Sequence, residues 1–320
     1  MFDNVFYCDG VGSQGFGHVA RCIMLAQLLV DERSARSIAF CGNYDAAVLD
    51  RIRGNLSSVS IVPANCFPKA GTAIVDRMAH PEDPDEWDEV FLETVCAKSA
   101  KVVYIASGTL VPPPREKLIS VGYQPFAGNE PRSDVFWGMK YAPVPPGFRT
   151  AASIPRDRSR AFVGIGGGGD RRSLATILEA LDGIAQIRSI DVLVSPVARY
   201  ETAVPEVSKS IAFHSNVPTI TPFLSAAGLV VASFGNLMME ALCLGAPVSI
   251  VGQKKFQAAF GQHFENAKLA YYAGDSRTAG REALAAIFEK TLAIDDKGLV
   301  RIAALINGAG WDSPARGSAI

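Results

Sequence analysis

A histidine stands in a glycine-rich segment near the start of the chain, where its surroundings suit catalysis. The segment GSQGFGH ends at His18, where a helical pattern of apolar residues begins. Glycines let a ligand approach the backbone closely, and the positive start of a helix favours anions and a neutral imidazole. A neutral imidazole accepts a proton near pH 7. We therefore predict that His18 is a general base, the alternative being that it caps the helix or satisfies a loop carbonyl.

The spacing of the glycines argues against a dinucleotide cofactor. Gly12, Gly15 and Gly17 form G-x-x-G-x-G, whereas the dinucleotide fingerprint is G-x-G-x-x-G. Cys41-Gly42-Asn43 also stands where an acidic residue would close the second strand. We expect no nicotinamide and predict no cofactor.

Two further loops of small residues precede helical patterns in the second half of the chain. The run Gly166 to Gly169 comes just before a predicted helix start near Arg171, and could cradle a diphosphate or form a tight turn. Ser233 to Asn236 precede a largely apolar helix that carries Glu240. We expect the amides of this turn to bind phosphate and Glu240 to accept hydrogen bonds from a ribose diol, because an acidic residue in an apolar helix needs a partner.

These loops fit a fold in which short apolar runs alternate with helical segments, the pattern of parallel sheets covered by helices. The sequence predicts about five strands in each half, at residues 4–8, 37–41, 58–62, 72–76, 101–106, 160–165, 190–194, 210–213, 228–232 and 247–251. A proline-rich stretch without periodicity, residues 141–160, lies between the halves. We predict an α/β protein with one domain over residues 1–148 and a second over 149–320, whose final helix could pack back on the first domain.

Composition excludes several classes of function. The formal net charge is −1 without a basic stripe, so nucleic acid is not an expected partner. No stretch reaches about 18 apolar residues and the N-terminus does not resemble a signal peptide, so we predict no membrane span. The six cysteines stand singly, without the spacing of a metal site; they are Cys8, Cys22, Cys41, Cys66, Cys96 and Cys243. We therefore predict buried reduced thiols and no metal site. Reduced thiols in turn predict a cytoplasmic protein.

Five motifs in order, from residue 12 to about 306, resemble the GT-B superfamily of nucleotide-sugar enzymes. They are GFGHVARCIMLAQLL, GMKYAPVPPGFR, GIGGGGD, MMEALCLGAP and IDDKGLVRIAALI. Within that superfamily they are most similar to the UDP-sugar hydrolases of pseudaminic acid biosynthesis and the related spore-coat polysaccharide proteins. The resemblance implies two Rossmann-like domains with parallel sheets facing across a cleft.

The resemblance also implies a substrate and the residues that bind it. The substrate is a UDP-linked amino sugar, and His18 would orient or deprotonate the water that releases UDP. In the first domain the implied substrate-binding residues are Gly15, Gly17, Arg21, Asp76 and Tyr141. In the second domain the implied nucleotide-binding residues are Gly167, Gly168, Ser233, Gly235, Asn236, Glu240, Gln257 and Gln262.

The chain departs from the hydrolase pattern at three places, mostly on the side that faces the sugar. Ala106 to Thr109 replace a pair of aspartates, Met239 stands where Asn is common, and Arg77-Met78 replace His-Tyr. Two alternatives to hydrolysis therefore stay open. One is a glycosyltransferase in which His18 deprotonates an acceptor hydroxyl, and the other is a nucleotide-sugar-binding protein without turnover.

Overall fold

The computed structural model divides the chain into two compact units. One comprises Met1–Pro145 together with the chain from Lys297 onward, and the other is Pro146–Asp296. The structure describes residues 1–11, 16–77, 88–106, 111–123, 132–149, 154–166, 171–194, 205–215, 217–285 and 294–308.

The first unit contains a parallel sheet. Its strands are β1 (Phe2–Tyr7), β2 (Ile38–Gly42), β3 (Val59–Pro63), β4 (Ala70–Val75), β5 (Ser99–Ala106), β6 (Leu118–Gly122) and β7 (Val135–Trp137). The described helices of this unit are α1 (Gly17–Asp31), α2 (Ala46–Asn55), α3 (Glu89–Lys98), a 3-10 turn (Met139–Tyr141) and, near the end of the chain, α9 (Gly298–Ile306). The strand order is β3-β2-β1-β4-β5-β6-β7, which places β1 beside β4.

The second unit has the same kind of sheet. Its strands are β8 (Asp157–Gly164), β9 (Ser189–Leu193), β10 (Ser210–His214), β11 (Ala227–Ala232), β12 (Val248–Gly252) and β13 (Tyr271–Asp275). Its described helices are α4 (Arg171–Asp182), α5 (Thr221–Ala226), α6 (Asn236–Cys243), α7 (Lys255–Asn266) and α8 (Arg281–Ala285). The order β10-β9-β8-β11-β12-β13 again reverses beside the unit's first strand. Ligands of open α/β sheets bind at the carboxyl ends of the strands at such a reversal.

Apolar side chains on both faces of the strands hold helices against each sheet. In the first unit, Val5 and Tyr7 of β1 lie in one core cluster with Phe91 and Leu92 of α3. In the second unit, a core cluster joins β8, β9 and β11 to the apolar face of α4, including Leu178. Two parallel sheets buried by helices confirm the predicted α/β class.

The ten strands that the sequence predicted are all present within one or two residues at most ends. Three described strands were not predicted: β6, β7 and β13. The sheets therefore have seven and six described strands instead of about five each. β7 is only three residues long, and β13 carries Ala, Gly and Asp, which are poor in strands.

The final helix lies with the first unit. The domain prediction placed residues 149–320 in the second domain but allowed this helix to pack back on the first, and α9 does so. Gly298 lies so close to Ala142 that a Cβ at Gly298 would be 1.9 Å from the Ala142 carbonyl oxygen. Arg301 donates from Nη1 to the Lys140 carbonyl at 2.6 Å. These contacts and the buried face of α9 explain why the helix packs here.

The cysteine prediction is correct for four of the six side chains. Cys66 is exposed and Cys96 is half-buried, whereas the others are buried, and all six thiols are free. Among the described helices, none has the length and apolar character needed to cross a bilayer.

Candidate functional site

Three side chains meet at the carboxyl edge of the first sheet. His18 is the second residue of α1, Arg21 lies almost one turn further on, and Asp76 directly follows β4. Because β1 pairs with β4, the helix that follows β1 begins beside the end of β4. His18 Nδ1 lies 2.6 Å from Asp76 Oδ1, while Arg21 donates from Nε to Oδ2 and from Nη2 to Oδ1, each at 2.8 Å.

These distances assign the tautomer of His18. An unprotonated Nδ1 would point its lone pair at a carboxylate oxygen only 2.6 Å away, which is repulsive. Nδ1 therefore carries the proton and donates it to Asp76. The 3.0 Å approach of Arg21 Nη2 to Nδ1 follows because both donors converge on Oδ1. In the neutral imidazole, Nε2 is then the proton acceptor.

The charges around Asp76 keep it ionised. Burial alone would raise the pKa of this fully buried carboxyl, but the Arg21 guanidinium, the adjacent His18 and the hydrogen bonds from both lower it to about 2. Burial also opposes the charged form of Arg21, yet Asp76 raises the pKa of its guanidinium above the ordinary value. The Arg21 guanidinium lies 5.5 Å from the ring centroid of Tyr123, which follows β6. The carboxylate thus has a fixed charge and position.

The remaining nitrogen of His18 is the chemically open one. Within the described part of the chain, the His18 side chain makes its hydrogen bond through Nδ1, to Asp76. The residue is 8% exposed. A histidine held by a carboxylate at Nδ1, with Nε2 as acceptor, has the arrangement of a general base.

The other residues predicted to bind substrate in the first unit are Gly15, Gly17 and Tyr141. Gly17 is the first residue of α1, where an added Cβ would lie 3.7 Å from Arg21 Nη1, and Gly15 lies outside the described residues. Tyr141 is buried in the 3-10 turn, with its ring edge-on to Phe136 at 6.3 Å. The structure therefore brings His18, Arg21 and Asp76 together. The substrate contacts of Gly15, Gly17 and Tyr141 stay predictions.

Sequence reasoning gave no role to four polar residues at this edge. Asp9 follows β1, Asn43 follows β2, Arg77 comes after Asp76, and Tyr123 follows β6. Each comes within two residues of the carboxyl end of a strand, which is the signal that could have found them. Tyr123 was out of reach because β6 itself was not predicted.

In the second unit, Gly166 and Ser233 follow the neighbouring strands β8 and β11. Gly166 has a φ of +77°, in the left-handed region that favours glycine, and a Cβ there would lie 3.2 Å from Ser233 Oγ. Phe234 packs on Phe260 and Phe264 of α7, with centroid distances of 4.8 and 5.9 Å. The Ser233 turn is therefore held against α7 at the carboxyl edge of the second sheet. Gly167 and Gly168 lie outside the described residues.

Helix α6 begins from this turn. Asn236 is its first residue, Gly235 its N-cap, and no side chain caps the helix start. Glu240 lies about one turn further, half-buried between the buried Met239 and Ala241. A helix start at the carboxyl edge offers backbone N–H groups to an anion.

The two predicted glutamines of α7 make hydrogen bonds within the protein. Gln257 Oε1 accepts from the backbone N–H groups of Gln253 and Lys254, at 2.7 and 3.2 Å, and so caps the helix. Gln262 Nε2 donates to Glu265 Oε2 at 3.0 Å and to Asn266 on the exposed side of the same helix. Their role in nucleotide binding stays a prediction, and the Gln257 oxygen is already committed to the cap. Among the described residues, no group of three or more His, Cys, Asp or Glu side chains could hold a metal.

No protein-family model and no curated protein matches the chain. Solved structures do resemble it. MurG of Acinetobacter baumannii superposes with a TM-score of 0.59 at 11% identity, over 95% of this chain and 99% of that one. A putative UDP-N-acetylglucosamine 2-epimerase from Listeria monocytogenes gives 0.58 at 11% identity, over 100% and 99% of the two chains.

A third structure is the spinosyn rhamnosyltransferase SpnG complexed with thymidine diphosphate, with a TM-score of 0.51 at 12% identity over 95% of each chain. At such identities the likeness shows the fold alone. The predicted fold is confirmed: the chain has two Rossmann-like α/β units with parallel sheets, the fold type of GT-B proteins.

Proposed function

We propose that the protein is a glycosyltransferase that uses a nucleotide sugar, with His18 as the base that activates the acceptor. The observation that carries this proposal is the 2.6 Å contact between His18 Nδ1 and Asp76, which leaves Nε2 to accept a proton. The similar folds of MurG and SpnG support it. This was the alternative to hydrolysis in the sequence analysis, and those comparisons favour it over hydrolysis.

The proposed step uses the site residues as follows. Nε2 of His18 removes the proton of an acceptor hydroxyl as its oxygen bonds to the anomeric carbon of the donor. The bond from that carbon to the diphosphate oxygen breaks, and a nucleoside diphosphate leaves. Asp76 stabilises the imidazolium that forms, and Arg21 holds the carboxylate in place. General base catalysis of this kind is worth ~10²–10⁴-fold in rate.

The second unit would hold the nucleotide. Backbone amides at Ser233, Gly235 and the start of α6 would bind the diphosphate, and Glu240 would accept hydrogen bonds from the ribose diol. The neighbouring ends of β8 and β11 and the uncapped helix start support this assignment. The SpnG structure contains thymidine diphosphate. We expect the donor to be a UDP-linked amino sugar, as the motif resemblance implies.

Product analysis tests the proposal against its competitors. The protein is incubated with UDP-N-acetylglucosamine and related UDP-amino sugars, with and without sugar alcohols or saccharides as acceptors. Glycosyl transfer predicts that UDP release depends on an acceptor and that a glycoside forms. UDP release in water alone would support hydrolysis, a changed sugar on intact UDP would support epimerisation, and binding without either product would support a non-catalytic protein.

A further inference from the structure

A second polar group lies at the same edge of the first sheet, on the other face from His18. Successive side chains of a strand point to opposite faces. Asp76 contacts α1, whereas the next residue, Arg77, lies over Phe91 of α3, with its guanidinium carbon 4.6 Å from the ring centroid. Arg77 Nη2 is also 3.2 Å from Asp9 Oδ2. The edge therefore carries a second arginine that the proposed proton transfer does not use.

The ion partner of Arg77 is firmly held. Asp9 is buried, and its Oδ1 accepts a hydrogen bond from the Asn43 backbone N–H at 2.9 Å. This bond ties the carboxylate to the end of β2. The ring of Phe91 supports the guanidinium from one side, since arginine stacks favourably on aromatic faces. Arg77 is consequently oriented before any ligand arrives.

The two arginines at this edge differ in their contacts with the neighbouring carboxylate and in their exposure to solvent. Arg21 donates hydrogen bonds from two nitrogens to the two oxygens of Asp76, and its side chain is 4% exposed. Among the described residues, Arg77 contacts one oxygen of Asp9 and its Nε is buried without a hydrogen-bond partner, while its side chain is 28% exposed. A guanidinium has five donors in a fork that matches carboxylate or phosphate. Arg77 thus has a donor that Asp9 does not occupy, on a side chain that is partly open to solvent.

We propose that Arg77 is a specificity residue that binds an anionic group, carboxylate or phosphate, on the acceptor whose hydroxyl His18 deprotonates. This rests on the proposed glycosyl transfer. Asp9 competes for the guanidinium and keeps it in place when no anion is bound. An acceptor with an acidic group would gain a charge-assisted contact that a neutral sugar lacks.

Binding of simple probes to the intact protein tests the proposal without turnover. D-glucuronate and inorganic phosphate are the anionic probes, and D-glucose is the neutral match of glucuronate. The readout is the NMR signal of the Arg77 Nε–H, together with the dissociation constants. The variants are Arg77→Met, which keeps an apolar stem over Phe91, and Asp9→Asn. Arg51→Met removes an exposed arginine of α2 as the matched control.

We expect glucuronate, phosphate or both to shift the Arg77 signal, and glucose to leave it unchanged. Arg77→Met should weaken anion binding about tenfold or more, and Arg51→Met should not change it. Asp9→Asn removes the competing charge and should tighten binding roughly three- to tenfold. A response to one anion alone supports the proposal and identifies the acidic group.

Several results would overturn it. They are equal binding of glucose and glucuronate, wild-type anion affinity in Arg77→Met, and unchanged or weaker binding in Asp9→Asn. The last result decides the matter even if Arg77→Met fails to fold. Failure of the proposed function looks different, because absence of glycosyl transfer with every acceptor would leave anion binding at Arg77 intact.

Discussion

His18 is the residue on which the proposed chemistry depends, and His18→Asn is the direct change. Asparagine can still donate to Asp76 but offers no basic nitrogen, so turnover should fall ~10²–10⁴-fold. Affinity for UDP, measured by calorimetry, should stay within about twofold, because the proposed nucleotide contacts lie in the second unit. Asp31→Asn, on the exposed end of α1, is the control and should keep full turnover. Wild-type turnover in His18→Asn would mean that the histidine only holds Asp76 in place.

Asp76 should make stability depend on pH in the acid range. Its pKa is lowered to about 2 in the folded protein, from 3.8, because Arg21 and His18 outweigh the effect of burial. A lowered carboxyl pKa contributes stability that is complete above the unfolded value and is lost as the pH falls from about 4 towards 2. The contribution at neutral pH is about 2 kcal/mol. A carbon-13 NMR titration in which the Asp76 carboxyl titrates at or above its ordinary value would contradict this.

Glu240 gives a prediction for the nucleotide. Glu240→Ala should weaken UDP binding by about 1–3 kcal/mol if the carboxylate bonds the ribose diol. Calorimetry with UDP and with 2′-deoxy-UDP separates this contact from a general loss of structure, because the variant should bind both nucleotides almost equally. Glu282→Ala, on α8, is the control. The same discrimination against 2′-deoxy-UDP in Glu240→Ala and wild type would exclude the ribose contact.

The sequence could group residues into a site only where they lie within one motif. His18 and Arg21 share one helical turn, so spacing alone groups them. Asp76 was included through the family resemblance, and its contact with His18 depends on β1 pairing with β4. Asp9 and Arg77 are far apart in sequence and meet only through the same pairing, which no local pattern encodes.

At the scale of elements, Arg156 is a link between two helices of the second unit. It donates from Nη1 to the carbonyls of Leu224 and Ala227, at 3.3 and 2.9 Å, and from Nη2 to that of Leu244 at 2.9 Å. These carbonyls lie at the ends of α5 and α6, where helix acceptors lack partners and a cation is favourable. Arg156 therefore supports the helix that begins at the Ser233 turn.

Arg156→Met should lower the free energy of unfolding of the second unit by about 2–3 kcal/mol, because three partly buried carbonyls lose a charged donor. Urea unfolding followed by a probe in that unit measures the effect. Arg158→Met, two residues away and exposed, should change stability by less than about 0.5 kcal/mol. Equal stability of the two variants would show that water replaces the guanidinium without loss.

Elements were predictable where apolar periodicity was strong. The continuous apolar run GLVVA predicted β11. All six residues of the strand are buried, which explains why its sequence is apolar throughout. β6 escaped because LISVG follows a segment rich in proline and charge, and β13 because Gly274 adopts a φ of +91° within it. Strands at or near a sheet edge have fewer neighbours to satisfy, so their sequences are less constrained.

For the whole molecule, periodicity distinguished two sheets but could not assign the last helix to one of them. The apolar face of a helix shows that the helix packs against another element, but it does not show which element that is. The discriminating feature was Gly298, which allows α9 to approach Ala142, together with Leu299 and Ile302, which are buried. Helix α9 thus joins the unit that contains β1 to β7.

Gly298→Ala tests this return of the chain. The added methyl would lie 1.9 Å from the Ala142 carbonyl oxygen, so α9 must shift away from the 3-10 turn. We expect the first unit to lose about 1–3 kcal/mol of stability, as overpacked contacts do. Gly280→Ala is the matched control, because a Cβ there meets no atom within 4 Å. Hydrogen exchange should quicken in α1 and α9 of Gly298→Ala while β8 and β11 keep wild-type protection, and uniform loss of protection in both units would contradict the assignment.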